Sequence, residues 1–174
     1  MLKKSRVYKM VFSALFLALA LVLPFLTASS KTLGNALCPM HIPVILCGFF
    51  CGPLYGLFVG AIAPILRFFM FGMPPVVPIG IAMSFELAAY GFFSGLFYNL
   101  LPQKKINVYV SLIGSMLLGR LIWGAVQYVL MQFGKTQFSF GLFISGAFLN
   151  AIPGIVIQIL FIPIFIIILR KNEK

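Results

Sequence analysis

Three ionisable side chains lie deep in the long apolar runs of this sequence: Arg67, Glu86 and Arg120. His41 stands at the start of another such run. A guanidinium sunk in an apolar helix costs about 2.5–3.5 kcal/mol on insertion scales, so Arg120 must meet the protein interior, a wet cavity or a bound molecule. Trp123 and Gln127 follow Arg120 at steps of three and four residues, which puts all three on one helical face. A fixed cation, an aromatic platform and an amide on one stripe suit the capture of a small polar organic molecule near the outer face. One carboxylate cannot neutralise two guanidiniums. If Glu86 pairs with one arginine, the other keeps its charge, and a carboxylate or phosphate on a guest molecule completes the site.

Each of these residues also has a plainer reading. Glu86 is either a structural partner for Arg120 or a direct ligand contact. Arg67 either contacts the ligand or snorkels outward from a helix end. His41 either touches the ligand or supplies hydrogen bonds where a helix starts. Asn150 either faces the ligand or bonds between helices. Trp123 is either a platform or an ordinary packing aromatic.

Other chemistry is poorly provided for. The two acidic residues are Glu86 and Glu173, and there is no Asp, which leaves little for acid–base catalysis. No H-E-x-x-H or G-x-S-x-G is present, so no enzyme is expected. Gly134-Lys135-Thr136 resembles the end of a phosphate loop, but the position that needs the first glycine holds Val129. The three cysteines, Cys38, Cys47 and Cys51, match no standard metal spacing even with His41 close by, so neither metal nor cofactor is expected.

The elements that must position these groups are membrane helices. The chain has 174 residues, 62% hydrophobic and 9% charged, with repeated apolar runs long enough to cross a bilayer. Strand alternation is absent. The expectation is an all-α integral membrane protein, one six-helix transmembrane domain over residues 1–174. Its helices fall at about 7–28, 39–51, 54–71, 79–101, 107–132 and 143–169. The helix at 39–51 is too short to span alone. The first run is too long for a signal peptide and reads as a retained helix. Gly48, Gly52, Gly56 and Gly60 recur every four residues, and Gly91 with Gly95 offers a further close-packing face. On the last helix Gly146, Asn150, Gly154 and Gln158 form one stripe.

The formal net charge of +11 is clustered rather than spread. Lys3, Lys4, Arg6 and Lys9, then Lys104 and Lys105, then Arg170, Lys171 and Lys174 sit at segment ends. With six crossings and both termini cytoplasmic, every one of these clusters falls inside, and Lys31 and Lys135 fall outside. Anchoring beside anionic lipid accounts for the charge without nucleic acid.

Several stretches carry a resemblance. Ala14-x-x-x-Ala18, then CPMHIPVILCGFFCGPLYGLFVGAIAPILR (38–67), FGMPP (71–75) and SFELAAYGFFSGL (84–96) resemble the substrate-capture (S) subunits of energy-coupling-factor (ECF) vitamin transporters. The resemblance covers nearly the whole chain and is nearest to a branch assigned to pantothenate. It implies a bacterial plasma-membrane protein that binds a vitamin under its outer loops. It further implies docking through helix 1, at Ala14 and Ala18, onto a transmembrane coupling subunit driven by two ATPases. Binding residues vary with the vitamin, so the site rests on Arg120, Trp123, Gln127, Arg67, Asn150, Glu86 and His41 as read above. The main alternative is a stand-alone facilitator or channel for a small organic anion, which the lack of an evident inverted repeat disfavours. A small intramembrane enzyme or assembly subunit is disfavoured by the poverty of catalytic groups.

Overall fold

The computed structural model describes residues 5–27, 37–73, 75–102, 104–133 and 151–172. Among them every regular element is helical: α1 (Arg6–Val22), α2 (His41–Cys51), α3 (Pro53–Phe71), α4 (Ile81–Leu100), α5 (Lys105–Phe133) and α6 (Ile152–Asn172). Four helical stretches are long and apolar enough to cross a membrane: Arg6–Phe25, Pro53–Phe71, Val76–Leu100 and Lys105–Gln132. His41–Cys51 and Ile152–Ile168 are shorter apolar helices.

Local chemistry explains the boundaries. Ser5 caps α1, its hydroxyl accepting from the Tyr8 backbone N–H at 3.2 Å. Pro24 lies in the 3₁₀ turn Leu23–Thr27 that follows. Gly52, with φ +101°, makes the break between α2 and α3, and Pro53 opens α3 where a missing N–H costs nothing. Gly72 closes α3 in the left-handed conformation, its N–H reaching the Phe68 carbonyl at 2.7 Å. The fourth helix starts two residues later than its expected position, because a wide turn over Val76–Gly80 precedes it. The expected start of the sixth helix lies outside the described residues.

The short α2 is apolar all round because it is buried all round. Nine of its eleven residues are buried, and at 1.5 Å per residue it is only about 16 Å long. It packs among α1, α3 and α4, and α4 is the hub that α2, α3 and α5 all meet. The glycines make this close approach possible. A Cβ on Gly56 would strike the Gly91 carbonyl, one on Gly91 would lie 2.9 Å from the Gly56 Cα, and one on Gly95 would lie 2.6 Å from the Gly48 carbonyl oxygen. The sequence suggests that the glycine series draws α2 and α3 against each other. The structure shows that approach, a Cβ on Gly56 lying 2.8 Å from the Gly48 Cα, and it also shows both helices pressed, backbone to backbone, onto α4.

Outward faces are apolar. On α1, Ser13, Phe16, Ala20 and Leu21 turn inward, while Val7, Val11, Leu15 and Val22 are exposed. Such a surface suits lipid or a partner helix, not water. On α6, Gly154 and Gln158 of the predicted stripe are buried; Gly146 and Asn150 lie outside the described residues.

Replacing Gly91 by leucine forces bulk into a backbone contact that cannot yield. Overpacking of this kind costs about 1–3 kcal/mol or more. Gly91→Leu is expected to lose the monodisperse folded peak on size-exclusion chromatography in detergent, while Ala14→Leu on the exposed face of α1 keeps it.

Candidate functional site

Three helices bring one charge cluster together. Glu86 lies on α4, Arg120 on α5, and His41 is the first residue of α2. Arg120 Nη1 is 3.1 Å from Glu86 Oε1, and His41 Nε2 is 3.6 Å from the same oxygen. All three side chains are buried, Glu86 with 2% of its surface exposed and Arg120 with 7%. Tyr90, one turn beyond Glu86 on α4, packs its ring 5.2 Å from that of His41. Gly119 makes room for it: a Cβ there would fall on the Tyr90 ring.

Cys38, in the turn ahead of α2, is an electrostatic neighbour of both Arg120 and Glu86. Its φ of +46° is left-handed, an uncommon conformation for a residue with a side chain. Burial pushes the Cys38 thiol up from its ordinary value, with the Arg120 guanidinium pulling the other way. The thiol therefore stays protonated at neutral pH and offers a weak S–H donor, not an anion.

The cluster has unmatched polar atoms. Among the described residues both His41 ring nitrogens and Arg120 Nε are buried without a hydrogen-bond partner, as is Gln127 Oε1 two turns further along α5. Buried polar groups in proteins are nearly always satisfied, so a concentration of exceptions marks a place built for something else. Gln127 is buried on α5, and Trp123 on the same helix is half-buried.

Of the two readings the sequence offers for Glu86, the structure shows the pairing with Arg120. The positive charge on Arg120 is answered by Glu86 within the chain, not left for a guest. The reason is tertiary: α4 and α5 pack along their length, and the carboxylate meets the guanidinium at the same level. Of the two arginines, Arg67 is the one left without a carboxylate among the described residues, and it is not brought to the cluster. Its Nη1 donates to the Leu21 carbonyl at 2.7 Å. Its guanidinium carbon lies 5.0 Å from the Phe25 ring and 5.6 Å from the Phe71 ring. Carbonyls at a helix end lack intrahelical partners, and Arg67 supplies one to α1.

Asn150 lies outside the described residues. Ala14 and Ala18 are exposed on α1. Among the described residues no group of three or more His, Cys, Asp or Glu is placed to hold a metal. Cys47 and Cys51 are buried, and the Cys47 thiol donates to Ser13 Oγ at 3.6 Å. Sequence reasoning misses Tyr90 and Cys38 as members of the cluster. Tyr90 has a signal, since it follows Glu86 by four residues; Cys38 enters the sequence reading only as a metal ligand.

A family model for the substrate-specific component of ECF transporters matches residues 8–168. The chain belongs to that family. No curated protein is a match for the sequence. An ECF substrate-specific component binds a small molecule and works with coupling and ATPase subunits; this is a transporter class and not an enzyme class. Membership and the apolar helices together assign the chain to a membrane.

Glu86→Gln leaves the Arg120 charge buried and unanswered, a change that costs about 3–5 kcal/mol. The variant is expected to melt well below the parent in detergent. The double variant Glu86→Met with Arg120→Met removes both charges at similar volume, and its thermal stability is expected to return towards the parent's. Equal stability of Glu86→Gln and the parent would show that the pair carries no structural weight.

Proposed function

We propose that this ECF substrate-specific component captures a water-soluble vitamin from outside the cell at the Glu86–Arg120–His41 cluster. Gln127 and Trp123 border the same site, and Asn150, outside the described residues, is a further proposed cargo contact. Pantothenate is the cargo favoured by the resemblance of the 38–97 stretch. The observation that carries the reading is the set of unmatched polar atoms around a buried ion pair, shared by three helices. Structural ion pairs alone do not call for spare donors and acceptors in an apolar core. Arg67 keeps a place in the proposal as the residue that fixes the outer end of α1 beside the cargo loops.

The rest of the assembly follows the same reading. The chain is a single multi-pass domain of the bacterial plasma membrane, with six crossings and both termini in the cytoplasm. The basic clusters support this: they fall at the start of α1, the α4–α5 connection and the end of α6, which six crossings put on one side. Docking onto the transmembrane coupling subunit, itself driven by two ATPases, uses the exposed small-residue face of α1 at Ala14 and Ala18. That face is turned away from the bundle, as a docking face must be.

The direct test is mass spectrometry of the small molecule that co-purifies with the detergent-solubilised chain, followed by calorimetry with that compound. Arg120→Ala is expected to weaken binding at least tenfold, about 1.4 kcal/mol. Unchanged affinity would remove Arg120 from the site. Ala14→Trp is expected to leave cargo binding intact and to abolish ATP-driven uptake in vesicles holding the complete transporter. Retained uptake would exclude the α1 face as the docking surface.

A further inference from the structure

The charge balance of the cluster constrains what it can accept. Glu86 and Arg120 cancel each other, so the ion pair leaves no net charge for a guest. A carboxylate guest would leave an unanswered negative charge in a buried site, at a cost that strongly disfavours binding. The same Glu86 oxygen that binds Arg120 lies 3.6 Å from His41 Nε2, and neither ring nitrogen of His41 has a hydrogen-bond partner among the described residues. We infer that the cluster takes a carboxylate cargo together with one proton, and that His41 carries the proton.

The step balances. A proton from water forms an N–H bond at His41 Nε2, and the imidazolium becomes a second cation on Glu86. Arg120 is then free to turn its unmatched Nε and a terminal nitrogen to the cargo carboxylate, in the two-pronged geometry that guanidinium and carboxylate favour. Two cations then face two anions. Among the described residues the ionisable groups around His41 are Glu86 and Tyr90 from α4, Arg120 from α5 and Cys38 from the turn before α2. Tyr90 and Cys38 are already protonated and Arg120 cannot gain a proton, so only His41 and Glu86 are able to accept one. The geometry favours His41, because its Nε2 faces the Glu86 oxygen at 3.6 Å, and a proton there leaves the carboxylate charged between two cations.

This inference rests on the cargo-site reading above, and its test separates the two. The full chain, purified without a polyhistidine tag in lipid nanodiscs, is titrated with sodium pantothenate and with pantothenol, its uncharged alcohol analogue. Calorimetry in buffers of different ionisation enthalpy at pH 6 to 8 counts the protons. Pantothenate is expected to bind with uptake of about one proton, its affinity falling by about tenfold per pH unit at the alkaline end. Pantothenol is expected to bind with no proton exchange. His41 is the one histidine of the chain, so its ¹⁵N resonances report the ring without ambiguity: neutral when empty, protonated with pantothenate bound. His41→Gln is expected to weaken pantothenate at least tenfold more than it weakens pantothenol, and to abolish the proton uptake. Pantothenate binding without proton uptake, or with uptake and a neutral ring, overturns the inference and leaves the site standing. Failure of both compounds to bind a folded protein overturns the cargo reading and the inference with it.

Discussion

A carboxylate buried in a bundle of apolar helices sets the terms for the rest of this structure. Moving such an ion from water to a protein interior costs several kcal/mol even after relaxation. Glu86 is tolerable only where a cation meets it, and Arg120 has the same need in reverse. The pair therefore commits α4 and α5 to one relative height. His41 at the same oxygen commits the first turn of α2 to that height as well. Three helices are registered against one another by a single oxygen atom.

The glycine seam is what lets the register be met. Leu87, the residue after Glu86, has its carbonyl against Gly60 of α3, and Gly91 one turn on meets Gly56. Contact between backbones has no flexible side chain to absorb a slip. The seam thus holds α4 in depth and rotation, and the direction of the Glu86 side chain follows. Gly119 of α5 admits the Tyr90 ring and brings α5 in close enough for Arg120 to reach. Small residues supply the approach, and the ion pair rewards one particular alignment among those the small residues permit.

Much of this is legible in the sequence and some is not, for reasons that lie in the physics. Apolar run lengths locate the helices, since lipid and core both demand them. The spacing of Arg120 and Gln127 places both on the buried face of α5, and the structure agrees. The glycine periodicity predicts that α2 and α3 approach closely, and Gly56 does lie against the Gly48 Cα; that α4 is the partner both share is not legible, because periodicity marks only one of the two surfaces in a contact. The pairing of Glu86 with Arg120 is one of the two readings the sequence offers for that carboxylate, and the structure shows it. Arg67 is instead spent on the Leu21 carbonyl, a need created by the end of α1 and visible only once that end is located. The brevity of α2 is legible, but its explanation, burial on nearly every side, is not.

The placement of α2 also bears on how the proposed capture site and the proposed docking face communicate in one small bundle. Both α2 and α3 touch α1 as well as α4. Of these two, α2 carries His41 at its first residue, and its interior, from Val44 to Phe49, forms the core against which Phe16 and Ala20 of α1 pack. A change in what His41 binds acts at the start of a stiff, fully packed helix, where interiors as dense as this transmit displacement instead of absorbing it. The other route runs through α3, and there Arg67 ties the far end of α1 to Phe71 and Phe25. On the proposed reading the outward face of α1 is therefore held at two levels, at mid-helix by α2 and at its outer end by Arg67. A cargo that alters the cluster reaches the docking helix first through α2, the element that joins the ion pair directly to the core behind α1.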